Sequence, residues 1–255
     1  MNSEIKNLKV IILAAGKGTR FNSEEEQIPK QMRMIAGKPI LEYVLKSVDF
    51  ISKKDITIIV GFMKEMIMSA FSEYTFVTQE TMYGYGTGAA VRYAKDSIGN
   101  HEGDILVLMG DMPLISRKTL SDLYAEHKKN GNDCTNLSCE INEVLKLGRI
   151  VRDENNNYLG IVENRDATEQ QKENIKEYNT GNAIFNSKKL FEQLEILKPN
   201  EKNGEYYLTD IPKLFMENNY KVGVCKTQNP EEIHGANSME ELKLIEKILK
   251  ANSTK

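Results

Sequence analysis

The chain has 255 residues, of which 40% are hydrophobic, so it is long enough to bury a sizeable core. Its 34 Lys and Arg residues against 37 Asp and Glu residues give a net charge of −3, which argues against a dedicated nucleic-acid coat protein. Its 3 Cys and 3 His residues show no metal-ligand spacing, which argues against a disulfide framework and a structural zinc site.

The amino-terminal segment MNSEIKNLKV contains no long apolar signal sequence. No apolar run approaches the roughly 20 residues that a membrane-spanning helix requires. We therefore expect a cytoplasmic protein that acts in a reducing environment, without membrane partners.

The first half of the chain alternates strand and helix patterns. The predicted strands cover residues 8–15, 56–60, 74–78 and 104–109, and the predicted helices cover residues 40–51, 63–71, 88–97 and 116–129. This alternation predicts an α/β fold with a doubly wound, mostly parallel sheet and helices on both faces. Ligands of such sheets bind beyond the carboxyl ends of the strands, so we expect a site near residues 14–19, after Thr78 and near 110–113.

The second half is richer in short strand patterns. These cover residues 135–140, 149–153, 158–162 and 180–185, with a polar turn at 153–157. The charged segment 167–177 is either helical or a mobile flap. Residues 238–250 predict a final helix with one apolar face, which packs on its own domain or on a second subunit. One domain with a β-rich elaboration is the simpler interpretation.

Small residues and two cations, Lys17 and Arg20, follow the first predicted strand in the segment LAAGKGTR. Backbone N–H groups can approach an anion closely at such a loop, and the cations add favourable charge. The segment matches neither the P-loop pattern nor GxGxxG. Taken alone, it indicates either a phosphate-binding loop or an ordinary glycine turn between a strand and a helix.

Three further segments stand where chemistry is expected, although each has an ordinary interpretation. Lys30 follows a proline in what could be a plain loop. The sequence Gly86-Thr87-Gly88 opens a helix that could hold an anion or could only pack closely on its neighbours. Asp111 follows the strongest predicted strand, where an acid can hold Mg²⁺ against a phosphate or cap a turn.

In combination, these segments resemble the sugar-1-phosphate nucleotidylyltransferases, and most of all the uridylyltransferase domain of bacterial N-acetylglucosamine-1-phosphate uridylyltransferases. The resemblance extends over nearly the whole chain. Its motifs follow one another in the family's order: residues 13–20, 29–30, 79, 86–88, 110–114, 148–150, 160–163, 166–168, 179–181, 205–210 and 235–237.

The resemblance implies a Rossmann-like nucleotide-diphospho-sugar transferase fold over residues 1–255. In that fold, residues 1–130 bind the nucleotide, residues 131–236 bind the sugar, and residues 238–250 form a terminal helix. It also implies transfer of a nucleotidyl group from a nucleoside triphosphate to a sugar 1-phosphate with release of pyrophosphate. Such a reaction needs positioning and charge neutralisation more than a covalent nucleophile, so we expect no catalytic Ser, Cys or His. Its products are precursors of cell walls or polysaccharides.

The site residues that the resemblance implies fall into four groups. The catalytic residues are Arg20, Lys30 and Asp111. The nucleotide-binding residues are Leu13, Ala14, Ala15, Gly16, Lys17, Gln79, Gly86, Thr87 and Gly110. The sugar-binding residues are Gly148, Glu163 and Asn179. The Mg²⁺ ligands are Asp111 and Asn237, whose oxygen atoms would be completed by phosphates and water.

The chain departs from the family pattern in several places. The loop between Arg20 and Lys30 is longer and carries three consecutive acids at 24–26, and the loop 80–85 is about two residues longer than usual. Met109 replaces a Tyr on the sugar side. No hexapeptide repeat precedes Lys255, so we expect no acetyltransferase activity and no trimer built on such repeats.

The substrates that we expect are UTP and N-acetylglucosamine 1-phosphate. One alternative is the same chemistry with CTP, dTTP or a hexose 1-phosphate, and another is a non-catalytic sugar-nucleotide sensor. Both substrates are small molecules, and we expect a monomer or a small homo-oligomer.

Overall fold

The computed structural model describes residues 7–16, 18–21 and 23–252. Lys17, which was predicted to bind phosphate, lies outside the described residues. The strands are β1 Leu8–Ala14, β2 Met34–Ile35, β3 Lys38–Pro39, β4 Ile56–Val60, β5 Thr75–Thr78, β6 Asp104–Met109, β7 Cys134–Glu140, β8 Arg149–Arg152, β9 Tyr158–Val162, β10 Glu177–Asn186 and β11 Val222–Lys226. The helices are α1 Ser23–Glu26, α2 Ile40–Ser47, α3 Lys64–Ala70, α4 Thr87–Tyr93, α5 Lys95–Ile98, α6 Arg117–Asn130, α7 Glu169–Asn174, α8 Ser187–Ile196, α9 Ile211–Glu217 and α10 Met239–Asn252.

One mixed sheet passes through both halves of the chain, in the order β11-β7-β10-β6-β1-β4-β5; β8 pairs with β10, and β9 pairs with β8. Strands β6, β1, β4 and β5 are parallel, and β11 is parallel to β7. Strand β10 is antiparallel to both of its neighbours on this path. The predicted α/β class with a mostly parallel central sheet is therefore confirmed.

The apolar run of β1 is continuous because helices cover both faces of the sheet. Val10 and Ile12 belong to one core cluster, together with Leu41 of α2 and Leu123 of α6. Ile11 and Leu13 belong to a second cluster on the opposite face, with residues of α4, α8 and α9. Successive strand residues point to opposite faces, so the residues from Val10 to Ala14 alternate between the two apolar layers.

Most predicted elements are present, but several boundaries differ. The helix predicted over 40–51 ends at Ser47. A turn follows it, and from this turn the buried Val48 and Ile51 still reach the core. The helix predicted over 88–97 is divided at Ala94 into α4 and α5. The strand predicted over 180–185 is the central part of the longer β10.

The charged segment 167–177 contains helix α7, which agrees with the helical alternative. The Thr168 side chain accepts from the backbone N–H of Gln171, and the Gln171 side chain accepts in return from the N–H of Thr168. This reciprocal capping box satisfies two donors at the start of the helix. Six elements of the described structure were not predicted from the sequence: the short α1, β2 and β3, and the longer α8, α9 and β11.

The carboxyl-terminal helix α10 packs on its own chain. Ile245 is buried against Ile35 of β2 and Ile40 of α2, and the half-buried Leu242 and Leu249 border the same cluster. The apolar face that was predicted for this helix therefore covers the region between β2 and α2. Among the residues that the structure describes, no helix is both long enough and apolar enough to cross a membrane.

Candidate active site

A cleft with a volume of about 480 Å³ opens beyond the carboxyl ends of β1, β4, β5 and β6, where the fold predicts a ligand site. Eight of the residues predicted to act on the nucleotide line it: Leu13, Ala15, Gly16, Lys30, Gln79, Gly86, Thr87 and Asp111. Gln79 begins the loop after β5, and its side-chain amide makes no hydrogen bond within the described part of the chain. The amide is therefore available to a ligand.

Three predicted residues that are distant in sequence meet at one wall of this cleft. The Lys30 ammonium contacts Asp111 Oδ2 and donates a hydrogen bond of 3.1 Å to Asn237 Oδ1. The Lys30 and Asp111 side chains are only 14% and 11% exposed to solvent, so water screens the attraction between their charges weakly. The structure thus brings together the predicted catalytic lysine and both predicted metal ligands.

Two short local structures hold Asp111 and Asn237 opposite each other. The backbone carbonyl of Asp111, just beyond β6, accepts a 2.8 Å hydrogen bond from the N–H of Ala236. The N–H of Asn237 donates to Glu241 Oε2 at 2.8 Å, and the Ser238 hydroxyl accepts from the N–H of Glu241 at 3.2 Å. The start of α10 is therefore what positions the Asn237 side chain.

The residues at this wall fit a hard divalent cation. Asp111 and Asn237 offer a carboxylate oxygen and an amide oxygen, the donor types that Mg²⁺ prefers, and both already converge on one positive charge. Within the described part of the chain, His, Cys, Asp and Glu side chains form no cluster of three or more that could hold a metal. A cation at this wall would therefore need substrate phosphates and water as further ligands.

The loop after β1 is only partly arranged as predicted. Ala14 is buried and does not line the cleft. The N–H of Gly110 donates a hydrogen bond of 3.0 Å to the carbonyl of Leu13. Arg20 is exposed on a single helical turn and is not among the described residues that line the cleft. Its predicted role in phosphate binding remains a prediction.

The acidic segment 24–26 is part of the short helix α1. Glu26 forms an ion pair of 2.9 Å with Arg33, whose guanidinium also lies over the ring of Phe21. This pairing neutralises one of the three acids next to the predicted phosphate site, so the local charge is less unfavourable than the sequence suggested.

Close packing explains the two glycines at the start of α4, Gly86 in the loop before it and Gly88 in its first turn. Gly86 has φ +106°, and a Cβ there would lie 2.4 Å from the carbonyl oxygen of Tyr206. The N–H of Gly88 donates to that same carbonyl at 2.8 Å, and the Thr87 hydroxyl accepts from the N–H of Leu208 at 3.0 Å. The Gly-Thr-Gly motif therefore docks the 205–208 segment against the cleft, in addition to lining it.

Replacing Gly86 with alanine is expected to lower the free energy of unfolding by about 3 kcal/mol, because it combines a strained φ with a steric clash. The matched control is Gly131→Ala, where φ is +58° and nothing lies within 4 Å of the new methyl group. That control should cost only about 1 kcal/mol. Urea unfolding of both variants measures the difference, and equal losses would show that the contact with Tyr206 relaxes freely.

The three residues predicted to bind the sugar lie together in a second region. A Cβ on Gly148 would stand 3.4 Å from Glu163 Oε2, so the Glu163 carboxylate lies against the Gly148 backbone. The N–H of Asn179 donates to the carbonyl of Gly148 at 2.8 Å, and Asn179 Oδ1 accepts from the N–H of Gly181. Strands β8, β9 and β10 thus place one backbone carbonyl, one carboxylate and one amide side by side.

Two residues near this group were quoted only as part of a motif and received no predicted role. The Thr209 hydroxyl donates to Glu163 Oε1 at 2.8 Å. Partial removal from water and, to a lesser extent, the negative charge of Glu163 raise the pKa of Asp210. Thr209 and Asp210 lie near Glu163 only because of the fold, since they are more than forty residues away from it in sequence.

Replacing Thr209 with valine removes the hydroxyl and keeps the shape of the side chain. If Glu163 binds the sugar, this change should raise KM for the sugar phosphate about fivefold, which corresponds to about 1 kcal/mol. KM for the nucleotide should stay unchanged, and Thr209→Ser should restore the wild-type value. Equal KM values in the valine and serine variants would show that Thr209 does not orient Glu163.

Met109 connects the two regions. It lines the cleft, its N–H donates to Asn182 Oδ1 at 2.8 Å, and its side chain lies 3.0 Å from where a Cβ on Gly181 would stand. Gly181 has φ +83° and lies in the irregular part of β10, between Asn179 and Ala183. Met109 therefore joins the cleft to the irregular part of β10 that contains Asn179.

This sheet, with a cleft at its carboxyl edge and an adjoining β-rich region, defines a Rossmann-like protein of the nucleotide-diphospho-sugar transferase fold class. A family model described as a MobA-like NTP transferase domain matches residues 10–205. The chain belongs to this family of nucleotidyltransferases, since the match covers most of its length.

Similar proteins agree with this assignment. The chain is 38% identical over 241 residues to the bifunctional protein GlmU of Streptococcus mutans serotype c, an alignment that covers 94% of this chain and 51% of that protein. It is 38% identical over 244 residues to the protein of the same name from Clostridioides difficile strain 630, covering 96% and 52%. The chain therefore spans about half the length of the curated relatives that it matches.

The solved structure of UDP-glucose pyrophosphorylase complexed with UDP-glucose superposes on this chain with a TM-score of 0.74. The superposition covers 96% of this chain and 98% of that one, at 21% sequence identity. It confirms the predicted fold class.

Proposed function

We propose that this chain transfers a uridylyl group from UTP to N-acetylglucosamine 1-phosphate, giving a UDP-sugar and pyrophosphate. The observation that carries the proposal is the convergence of Lys30, Asp111 and Asn237 at the wall of the cleft. Membership of a nucleotidyltransferase family supports the type of reaction. The motif resemblance and the match to relatives named GlmU support this choice of nucleotide and sugar.

In the proposed reaction, a phosphate oxygen of the sugar 1-phosphate forms a bond to the α-phosphorus of the triphosphate. The bond between that phosphorus and the oxygen bridging to the β-phosphate breaks, and pyrophosphate leaves with its electron pair. The entering and leaving oxygens lie in line, so the protein contributes position and charge rather than a covalent intermediate.

Each part of the cleft has a defined task in this proposal. The backbone from Leu13 to Gly16 lies along the nucleotide, and the side-chain amide of Gln79 reads the edge of the pyrimidine. Lys30 places its ammonium near the transferred phosphate, where negative charge builds up in the transition state. Charge stabilisation of this kind, in a poorly screened site, is usually the largest single contribution to such a rate.

Asp111 and Asn237 are the residues that would hold Mg²⁺. The ion would neutralise charge on the phosphates and fix their orientation. The Lys30 ammonium already lies between these two oxygen ligands, so the site accommodates positive charge there.

The sugar would bind in the second region. Glu163 and Asn179 would accept and donate hydrogen bonds to its hydroxyl groups, and the backbone of Gly148 would meet its N-acetyl group. Thr209 holds the Glu163 carboxylate at the required angle, since its hydroxyl donates to Oε1. Neutral polar groups and one carboxylate suit an uncharged sugar ring.

The deciding experiment measures pyrophosphate release with Mg²⁺ for UTP, CTP, dTTP, ATP and GTP against a panel of sugar 1-phosphates. Selective release with UTP and N-acetylglucosamine 1-phosphate is the expected result. Release with another pair would retain the chemistry and assign the specificity to Met109 and the enlarged loops. Nucleotide binding without release from any pair, in folded protein, would favour the sensor alternative.

A further inference from the structure

The loop between β5 and α4 presents unusually large apolar side chains to solvent. Met82 is 71% exposed and Tyr85 is 59% exposed. Tyr85 lines the cleft, whereas Met82 does not. An exposed aromatic ring at a cleft wall is an apolar surface without a partner in the described part of the chain.

The backbone on both sides of Tyr85 is tied down. The N–H of Tyr83 donates to the hydroxyl of Tyr93 in α4 at 3.0 Å, and the rings of Tyr83 and Tyr93 lie 4.7 Å apart. The carbonyl of Tyr85 accepts from the N–H of Tyr206 at 2.8 Å. The Tyr85 ring is therefore presented from a fixed backbone, and little additional ordering is needed when a ligand arrives.

The neighbours of Tyr85 indicate which part of a substrate it meets. Tyr85 shares the cleft wall with Gln79, Gly86 and Thr87, whereas Gly148, Glu163 and Asn179 are not among the described residues that line this cleft. In a nucleoside triphosphate and a sugar phosphate, the only flat apolar face belongs to the nucleobase. Aromatic side chains bind such faces by stacking.

We propose that the Tyr85 ring stacks on the nucleobase of the bound nucleotide, an inference that rests on the proposed function. Stacking tolerates every base because each has a flat face, so Tyr85 contributes affinity. Gln79 then contributes the choice of base, since its amide hydrogen-bonds to an edge. Removing the ring should weaken nucleotide binding about 5- to 100-fold.

The test is calorimetric titration with UTP, without sugar phosphate, of the wild type and of Tyr85→Phe and Tyr85→Leu. The leucine variant should lose at least fivefold in affinity, and the phenylalanine variant should stay within about twofold of wild type. Inorganic tripolyphosphate is titrated in parallel, because it lacks a base and its affinity should not change. Met82→Ala is the matched control, since it alters the same loop away from the cleft.

If the wild type binds UTP, three outcomes would overturn the stacking role. The leucine variant could bind UTP like the wild type, or it could lose UTP and tripolyphosphate affinity equally, which would indicate a general effect on the loop. The loss of UTP affinity could instead follow Phe62→Leu, which removes the other aromatic ring that lines the described cleft.

If the wild type binds none of the five nucleotides and releases no pyrophosphate, the proposed function fails together with the role of Tyr85. Nucleotide binding with an unaffected leucine variant removes only the role of Tyr85.

Discussion

Replacing Asp111 with alanine is expected to abolish pyrophosphate release, with a loss of at least 1,000-fold that corresponds to about 4 kcal/mol. The physical reason is that Asp111 supplies the carboxylate that contacts Lys30 beside Asn237. Without it, neither a divalent cation nor the lysine is held at the transferred phosphate. Turnover with the best substrate pair and Mn²⁺ binding in the presence of the nucleotide are the two measurements.

Asp122→Ala is the matched control for this prediction. Asp122 is an exposed acid on α6 whose ion pair with Lys118 is solvent-screened, so its loss should leave turnover and stability nearly unchanged. Circular dichroism and thermal unfolding check that the Asp111 variant is folded. Near-normal turnover with Mg²⁺ in that variant would refute the assignment of Asp111 as a metal ligand.

Replacing Lys30 with alanine should lower kcat about 100- to 1,000-fold, since one group aimed at developing charge contributes about 3 kcal/mol. The effect should appear in kcat more than in KM, because the charge on the transferred phosphate grows in the transition state.

The replacement of Lys30 also removes the cation that contacts both Asp111 and Asn237. In the presence of the nucleotide, Mg²⁺ should therefore raise the melting temperature of the variant more than that of the wild type.

Lys118→Ala is the control for Lys30, because Lys118 is a largely exposed lysine on a helix surface. Steady-state kinetics at saturating nucleotide separate the two constants. A change confined to KM would show that Lys30 binds the substrate and does not stabilise the transition state. An unchanged response to Mg²⁺ would show that the lysine and the metal do not share the same oxygen ligands.

Strands buried on both faces were the easiest elements to predict. Strands β1, β4 and β6 are mainly apolar because both of their faces are covered, and this pattern can be read without knowledge of the neighbours. Strand β11 was missed because Val222–Lys226 is short, only half-buried and contains Gly223. Its partner, β7, lies about ninety residues earlier in the chain, so local pattern could not identify the pairing.

Helix α8 carried a signal that could have been used. Asn186 caps its first turn by accepting from the N–H of Lys189, and Leu190, Phe191 and Leu194 form an apolar face at helical spacing. Because strand β10 ends immediately before α8, the sequence pattern did not show where the helix begins. Helix α9 is only seven residues long and has a proline in its first turn, so its pattern was too short to separate from a loop.

The order of the motifs in the sequence was sufficient to predict the fold class, the family and a set of site residues. It could do this because small residues, cations and acids after apolar strands reflect local requirements of backbone and charge. Only the tertiary structure decided that Lys30 lies between Asp111 and Asn237, which are 81 and 207 residues away, and that Thr209 supports Glu163. It also decided that Arg20 is exposed on a turn and that Gly86 is required by the carbonyl of Tyr206. These contacts depend on how distant loops meet at the edge of one sheet, and no local pattern of residues determines that meeting.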